Sequence, residues 1–101
     1  MGDRRGAPRR LVEWPCSLRR RVGAPIAART VDLGPIGMCV LTSRPLTQDE
    51  VLEFELTEQS ISGKARVMRY QGHGTYGLRF ESLPDPVLEE LATLCDGRRE
   101  R

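Results

Sequence analysis

Apolar and polar positions alternate along most of the chain. Val12, Trp14, Cys16 and Leu18 interleave with Glu13, Pro15, Ser17 and Arg19, and a period of two marks a half-buried strand. Pro15 falls on the outward set, which suits an edge or a bulge. After a break at Gly23–Pro25, residues 26–33 read as a second strand and residues 37–42 as a third, more buried one. Between them, Gly34-Pro35-Ile36-Gly37 reads as a turn, since glycine supplies unusual backbone angles and proline fixes φ. Leu52, Phe54 and Leu56 alternate with Glu53, Glu55 and Thr57 in a fourth strand. In residues 61–70, Ile61, Ala65 and Val67 share a face opposite Lys64 and Arg66. A glycine-rich turn at Gln71–Gly74 leads to a last strand, 75–81, with Tyr76, Leu78 and Phe80 inward and Arg79 outward.

The period then changes. Asp85 is placed to cap a helix that begins at Pro86. Val87, Leu88, Leu91 and Leu94 form its apolar stripe, and Gly97 ends it. Six short strands followed by one closing helix predict an all-β fold: a six-stranded antiparallel β-barrel with a C-terminal α-helix. Closure removes the sheet edges that would otherwise invite aggregation. Residues 1–10 carry no apolar periodicity and read as a flexible arginine-rich arm. The barrel with its helix spans 11–97, and 98–101 is a charged tail.

Composition fits one small globular domain: 39% of the 101 residues are hydrophobic and 30% charged. No apolar run approaches the roughly 18 residues of a membrane span, and no apolar stretch follows the basic start as in a secretory signal. Cys16, Cys39 and Cys95 are odd in number and far apart, which argues against a disulfide framework and a zinc site and suits a reducing cytoplasm. Charge changes the picture more. Residues 1–30 hold eight arginines against two acids, a net of +6, while residues 31–101 carry a net of −4. Such asymmetry points to an anionic partner for the N-terminal third. Lys64 is the one lysine among sixteen cations, and arginine offers a planar fork for phosphate and a flat face for stacking.

Two local patterns stand out. Arg5-Gly6-Ala7-Pro8-Arg9 is an RxxxR spacing flanked by Arg4 and Arg10. Asp32-Leu33-Gly34-Pro35-Ile36-Gly37 is an acid at a strand end followed by a glycine turn. Each alone is ordinary, as a solvated arm and as hairpin chemistry. Their order, their separation and the barrel around them resemble the PilZ family, whose pattern is RxxxR followed by a (D/N)xSxxG turn between the second and third strands. Tyr76-Gly77-Leu78-Arg79-Phe80 resembles that family's final strand. One departure is plain: Gly34 stands where the family has serine.

The resemblance implies a receptor for cyclic di-GMP, with the arm wrapping the ligand against the barrel and passing the signal through protein contacts. It implies Arg5 and Arg9 as ligands of phosphate and guanine, Asp32 as a guanine acceptor, and Gly34 and Gly37 as turn positions. Arg4, Arg10 and Arg79 are possible additional contacts. The chemistry is suitable: arginine bonds phosphate bidentately and can stack on or bond a purine, and a carboxylate accepts from guanine N–H groups. Two other readings are a PilZ-like adaptor without a nucleotide and a small nucleic-acid-binding barrel. The second of these lacks the interleaved aromatics such surfaces use, with five aromatic residues, most inward by alternation. Lone His73 in a glycine turn reads as a loop residue, and Trp14 as core. Arg19-Arg20-Arg21 reads as a solvated strand end. No nucleophile or acid–base set accompanies Glu53 and Glu55, so no enzyme is expected.

Overall fold

The computed structural model describes residues 9–81 and 83–96, without the side chains of 94–96. Seven strands precede one helix: β1 (Arg10–Leu11), β2 (Pro15–Arg19), β3 (Ile26–Leu33), β4 (Gly37–Leu41), β5 (Val51–Leu56), β6 (Ile61–Gly72), β7 (Thr75–Glu81) and α1 (Asp85–Asp96). Six of the strands close on themselves in the order β3-β2-β5-β6-β7-β4 and back to β3, every neighbour antiparallel. This is the six-stranded barrel that the alternation predicts. The short β1 is added outside the ring, on β3.

The inward positions make one core. Leu18, Leu52, Phe54, Leu56, Ile61, Ala65, Val67 and Leu78 are all buried, as their alternation requires. Phe54 and Phe80 meet with ring centroids 5.2 Å apart. Fully buried Leu91 and half-buried Val87, one helical turn apart, bring α1 onto this core. Leu88, assigned to the same stripe, is instead 40% exposed. A Val87–Leu91 seam suffices where a helix meets a barrel, and position 88 lies about 100° around the helix from 87. Leu83 reaches the core over Gly63, where a Cβ would lie 2.4 Å from the Leu83 Cδ2. The side chains of Leu94 and Cys95, and the charged tail, lie outside what is described.

The first predicted strand, read from Val12 to Arg19, begins only at Pro15, and the separate two-residue β1 precedes it. Residues 12–14 leave the ladder, although Val12 and Trp14 still pack on the core. Thr30 explains the break. Its side chain is buried, its hydroxyl donates to the Val12 carbonyl (2.6 Å) and accepts from the Trp14 N–H (2.8 Å). Its own N–H donates to the Trp14 carbonyl (2.9 Å). The β3 register shifts between Thr30 and Asp32, and β1 then places Leu11 beside Asp32 and Arg10 beside Leu33. Arg10, given to the arm on sequence grounds, is thus a strand residue.

Two loops are held by different means. His73 and Gly74 both have positive φ (54° and 77°), the backbone of a two-residue type I′ hairpin. The long β4–β5 loop is held by Arg20. Its guanidinium gives two hydrogen bonds to Glu50 (2.7 and 3.0 Å) and one to the Pro45 carbonyl (2.9 Å). Glu50 also accepts from the Thr47 N–H (2.6 Å). The middle arginine of the Arg19–Arg21 run is therefore structural.

A groove between the arginine arm and strand β6

The β3–β4 turn is tight. The Gly34 N–H donates to the Gly37 carbonyl (2.9 Å), and the Phe80 N–H donates to the Ile36 carbonyl (2.8 Å). The second bond draws the turn onto β7. Gly37 is required here for space: a Cβ would lie 2.2 Å from the Leu78 carbonyl oxygen. Its role is close backbone approach, whereas positive φ belongs to Gly23, Gly72 and Gly74. Gly34 is buried just beyond the end of β3.

Asp32 sits at the other end of this turn, on the outer face of the barrel. The Arg9 guanidinium forms an ion pair with it across 23 positions of sequence. The pair is accessible, with 46% of the Arg9 side chain and 26% of the Asp32 side chain exposed. Register then defines a row across four strands: Asp32 on β3, Cys39 on β4, Gly77 on β7 and Arg69 on β6. With strands about 4.8 Å apart, the row runs roughly 14 Å along the barrel wall. It forms the floor and flanks of a groove of about 540 Å³, bounded also by Met38, Met68, Gln71 and Leu78. Such a volume falls within the ~300–1,000 Å³ typical of small-ligand sites. A larger depression of about 810 Å³ beside Pro15, Ala27, Leu41 and His73 has no acid in its lining.

The groove is polar at both flanks and has small residues in its floor. The Arg69 guanidinium has no hydrogen-bond or ion-pair partner among the described residues. Cys39 is 7% exposed. Burial first, and the nearby Asp32 charge second, push its pKa up, with Arg9 opposing them. It is therefore protonated at neutral pH and donates to Gln71 Oε1 at 3.0 Å.

The structure brings together three of the residues singled out from sequence: Arg9 and Asp32 directly, and Gly37 by the turn. Gly34 lies within the same turn. Arg10 is one residue from the ion pair. Arg79 is exposed on β7 opposite Gly37 and Arg66, one row from the groove and outside its lining. Arg4 and Arg5 lie outside the described residues. Sequence reasoning missed Cys39, Arg69, Gln71 and Gly77. Cys39 and Gly77 come into line with Asp32 through the registers of β3, β4 and β7, and Arg69 and Gln71 only once the register of β6 is known. No cluster of His, Cys, Asp and Glu able to hold a metal occurs among the described residues, and none of the described helices is long and apolar enough to cross a membrane.

Similar folds occur in solved structures. The inhibitor of motility MotI/DgrA of Bacillus subtilis superposes with a TM-score of 0.80 at 15% identity, covering 99% of this chain. The chain spans only 55% of that protein's length. The PilZ domain of YcgR from Escherichia coli, solved with c-di-GMP, gives a TM-score of 0.73 at 16% identity, covering 93% of this chain and 90% of that one. The Legionella uncharacterized protein Lpg0364 gives 0.56 at 12% identity, covering 87% and 89%. No curated protein sequence matches the chain significantly. The PilZ domain family model matches residues 3–97, from the arm through the helix. With nearly the whole sequence so covered and the barrel closed as above, the chain belongs to the PilZ domain family.

Proposed function

We propose that the chain is a non-enzymatic, cytoplasmic module that binds cyclic di-GMP in the groove between Arg9, Asp32 and β6 and signals through contacts with a protein partner. The observation that carries this reading is the meeting of Arg9 and Asp32 over a groove floored by Cys39 and Gly77. Asp32 has a single partner there among the described residues, the Arg9 guanidinium. A carboxylate has about four acceptor sites, so Asp32 retains capacity for the N–H groups of a guanine. Arg9 is free to turn from Asp32 to a phosphate, and Arg5, four positions earlier, supplies the second cation. Arg4 and Arg10 add to the positive field. The E. coli neighbour solved with c-di-GMP has the same fold, which supports the ligand class.

One observation favours a second reading. Gly34 replaces the serine of the family pattern and brings no hydroxyl to the turn. An adaptor that works through protein contacts alone would not need one, and the Bacillus neighbour is named as an inhibitor of motility. Calorimetric titration with cyclic di-GMP separates the readings. The nucleotide reading expects saturable heat at ~100 µM ligand and a loss of about ten- to hundred-fold in affinity for Arg9→Ala, the equivalent of one charge-assisted hydrogen bond. Absence of heat from the unaltered chain would leave the adaptor reading.

A further inference from the structure

Gln71 lies on the floor of this groove, and the path that puts it there is unusual. The β6 register shifts between Val67 and Arg69 and again between Tyr70 and Gly72. A bulge of this kind leaves a residue without a direct cross-strand partner and re-aims its side chain. In the second shift that residue is Gln71, and its carboxamide lies over β7. A Cβ on Gly77 would lie 2.9 Å from Gln71 Nε2 and 3.6 Å from Cδ. The carboxamide thus lies on bare backbone, in the part of the floor where a flat heterocycle has the closest approach. Its oxygen is held by the Cys39 thiol at 3.0 Å. Thiols are weak donors, so the hold is light.

We propose that Gln71 is a built-in stopper of the groove: its carboxamide occupies the place of a planar base above Gly77 and swings out when the ligand enters. The inference rests on the nucleotide reading of the groove. Two of the groove's own polar groups have internal partners, Asp32 in Arg9 and Cys39 in Gln71. Ligand entry exchanges both. The Arg9–Asp32 exchange offers charge-assisted bonds in return, whereas displacing Gln71 subtracts from affinity and so sets its level. Gln71 is exposed, so its replacement leaves the core intact.

The test is calorimetry with cyclic di-GMP on four versions of the full chain. Gln71→Ala is expected to bind about three- to ten-fold more tightly than the unaltered chain, the scale of one lost competing hydrogen bond. Cys39→Ser replaces the thiol with a stronger donor, holds the carboxamide more firmly and is expected to bind about two- to three-fold more weakly. The double variant is expected to match Gln71→Ala, because the serine then has nothing to hold. Equal or weaker binding by Gln71→Ala overturns the stopper while leaving the nucleotide site standing. So does a Cys39→Ser effect that persists in the double variant. Binding seen only in the two chains that lack Gln71, the single and the double variant, supports the stopper strongly, and absence of binding in all four versions overturns the nucleotide reading and the stopper together.

Discussion

Among the arginine–carboxylate pairs of the described residues, Arg20–Glu50 and Arg9–Asp32 have similar chemistry and opposite character. Arg20 and Glu50 are saturated. Glu50 takes two guanidinium bonds and a backbone N–H, and Arg20 spends a third bond on the Pro45 carbonyl. The Arg20 bonds, as the leading cause, hold the Glu50 carboxyl below its ordinary value of 4.5, against a smaller opposing effect of burial. Arg9 and Asp32 meet through one guanidinium nitrogen and one carboxylate oxygen in an open groove. Most of the polar atoms are engaged at the first pair, whereas at the second one carboxylate oxygen and most of the guanidinium N–H groups are spare. Saturation makes a bond structural, because breaking it leaves several groups unpaired. Spare capacity makes a bond exchangeable.

The sharpest way to break this contrast is Asp32→Asn. The variant keeps the shape but loses the charge that pairs with Arg9 and that the proposed reading assigns to guanine. Cyclic di-GMP affinity is expected to fall about ten- to hundred-fold, for a charge-assisted bond worth roughly 1.5–3 kcal/mol. Stability in urea should stay within about 0.5 kcal/mol, as for an exposed ion pair. A large loss of stability would show that the groove pair is structural after all.

Glu50→Gln is the mirror experiment. Stability in urea is expected to fall by about 1–2 kcal/mol, less than for a fully buried pair because Arg20 is part exposed. Affinity for the nucleotide should not change. The acid limb of stability carries the same information. Glu50 has a lower pKa folded than unfolded, so its contribution is fully present above about 4.5 and is lost as the pH falls through the depressed folded value. The Glu50→Gln chain should therefore show a shallower fall in stability across that window. Parallel pH profiles would mean that the pair contributes nothing.

These two pairs were not equally legible in the sequence. Alternation and turn residues located β3 and β7 to the residue, because each has inward apolar positions with glycine or proline beside it. The Asp32 turn could be read because acid, glycine and proline sit together. Arg20 and Glu50 are thirty positions apart, and the Arg19–Arg21 run carries no sign of the acid it meets; their meeting follows from barrel closure. Gln71 was hidden for another reason. Alternation assigns faces only while the register holds, and β6 shifts twice before its hairpin. Thr30 broke the first strand in the same way, through a buried hydroxyl bonded to residues 12 and 14. What composition cannot convey is where a ladder slips, and the groove is built where β3 and β6 do so.

Gly34→Ser is the mildest change and the one that sharpens the contrast most finely. Gly34 stands two positions after Asp32, just past the end of β3, where the family pattern has its serine. A hydroxyl there adds a donor and an acceptor to the turn that follows Asp32. Gly34 is not among the glycines of positive φ, so serine can adopt its backbone. One added neutral hydrogen bond predicts affinity for cyclic di-GMP raised about three- to ten-fold, with stability little changed. If binding appears only in the Gly34→Ser chain, the native groove is the adaptor's, and the spare capacity of Asp32 is a vacancy that glycine at 34 keeps from being used. If binding is already present and rises, the spare capacity is functional and Gly34 only tunes it. An unchanged affinity would mean that the ligand does not reach the turn, and that Asp32 is engaged from the β6 side of the groove alone.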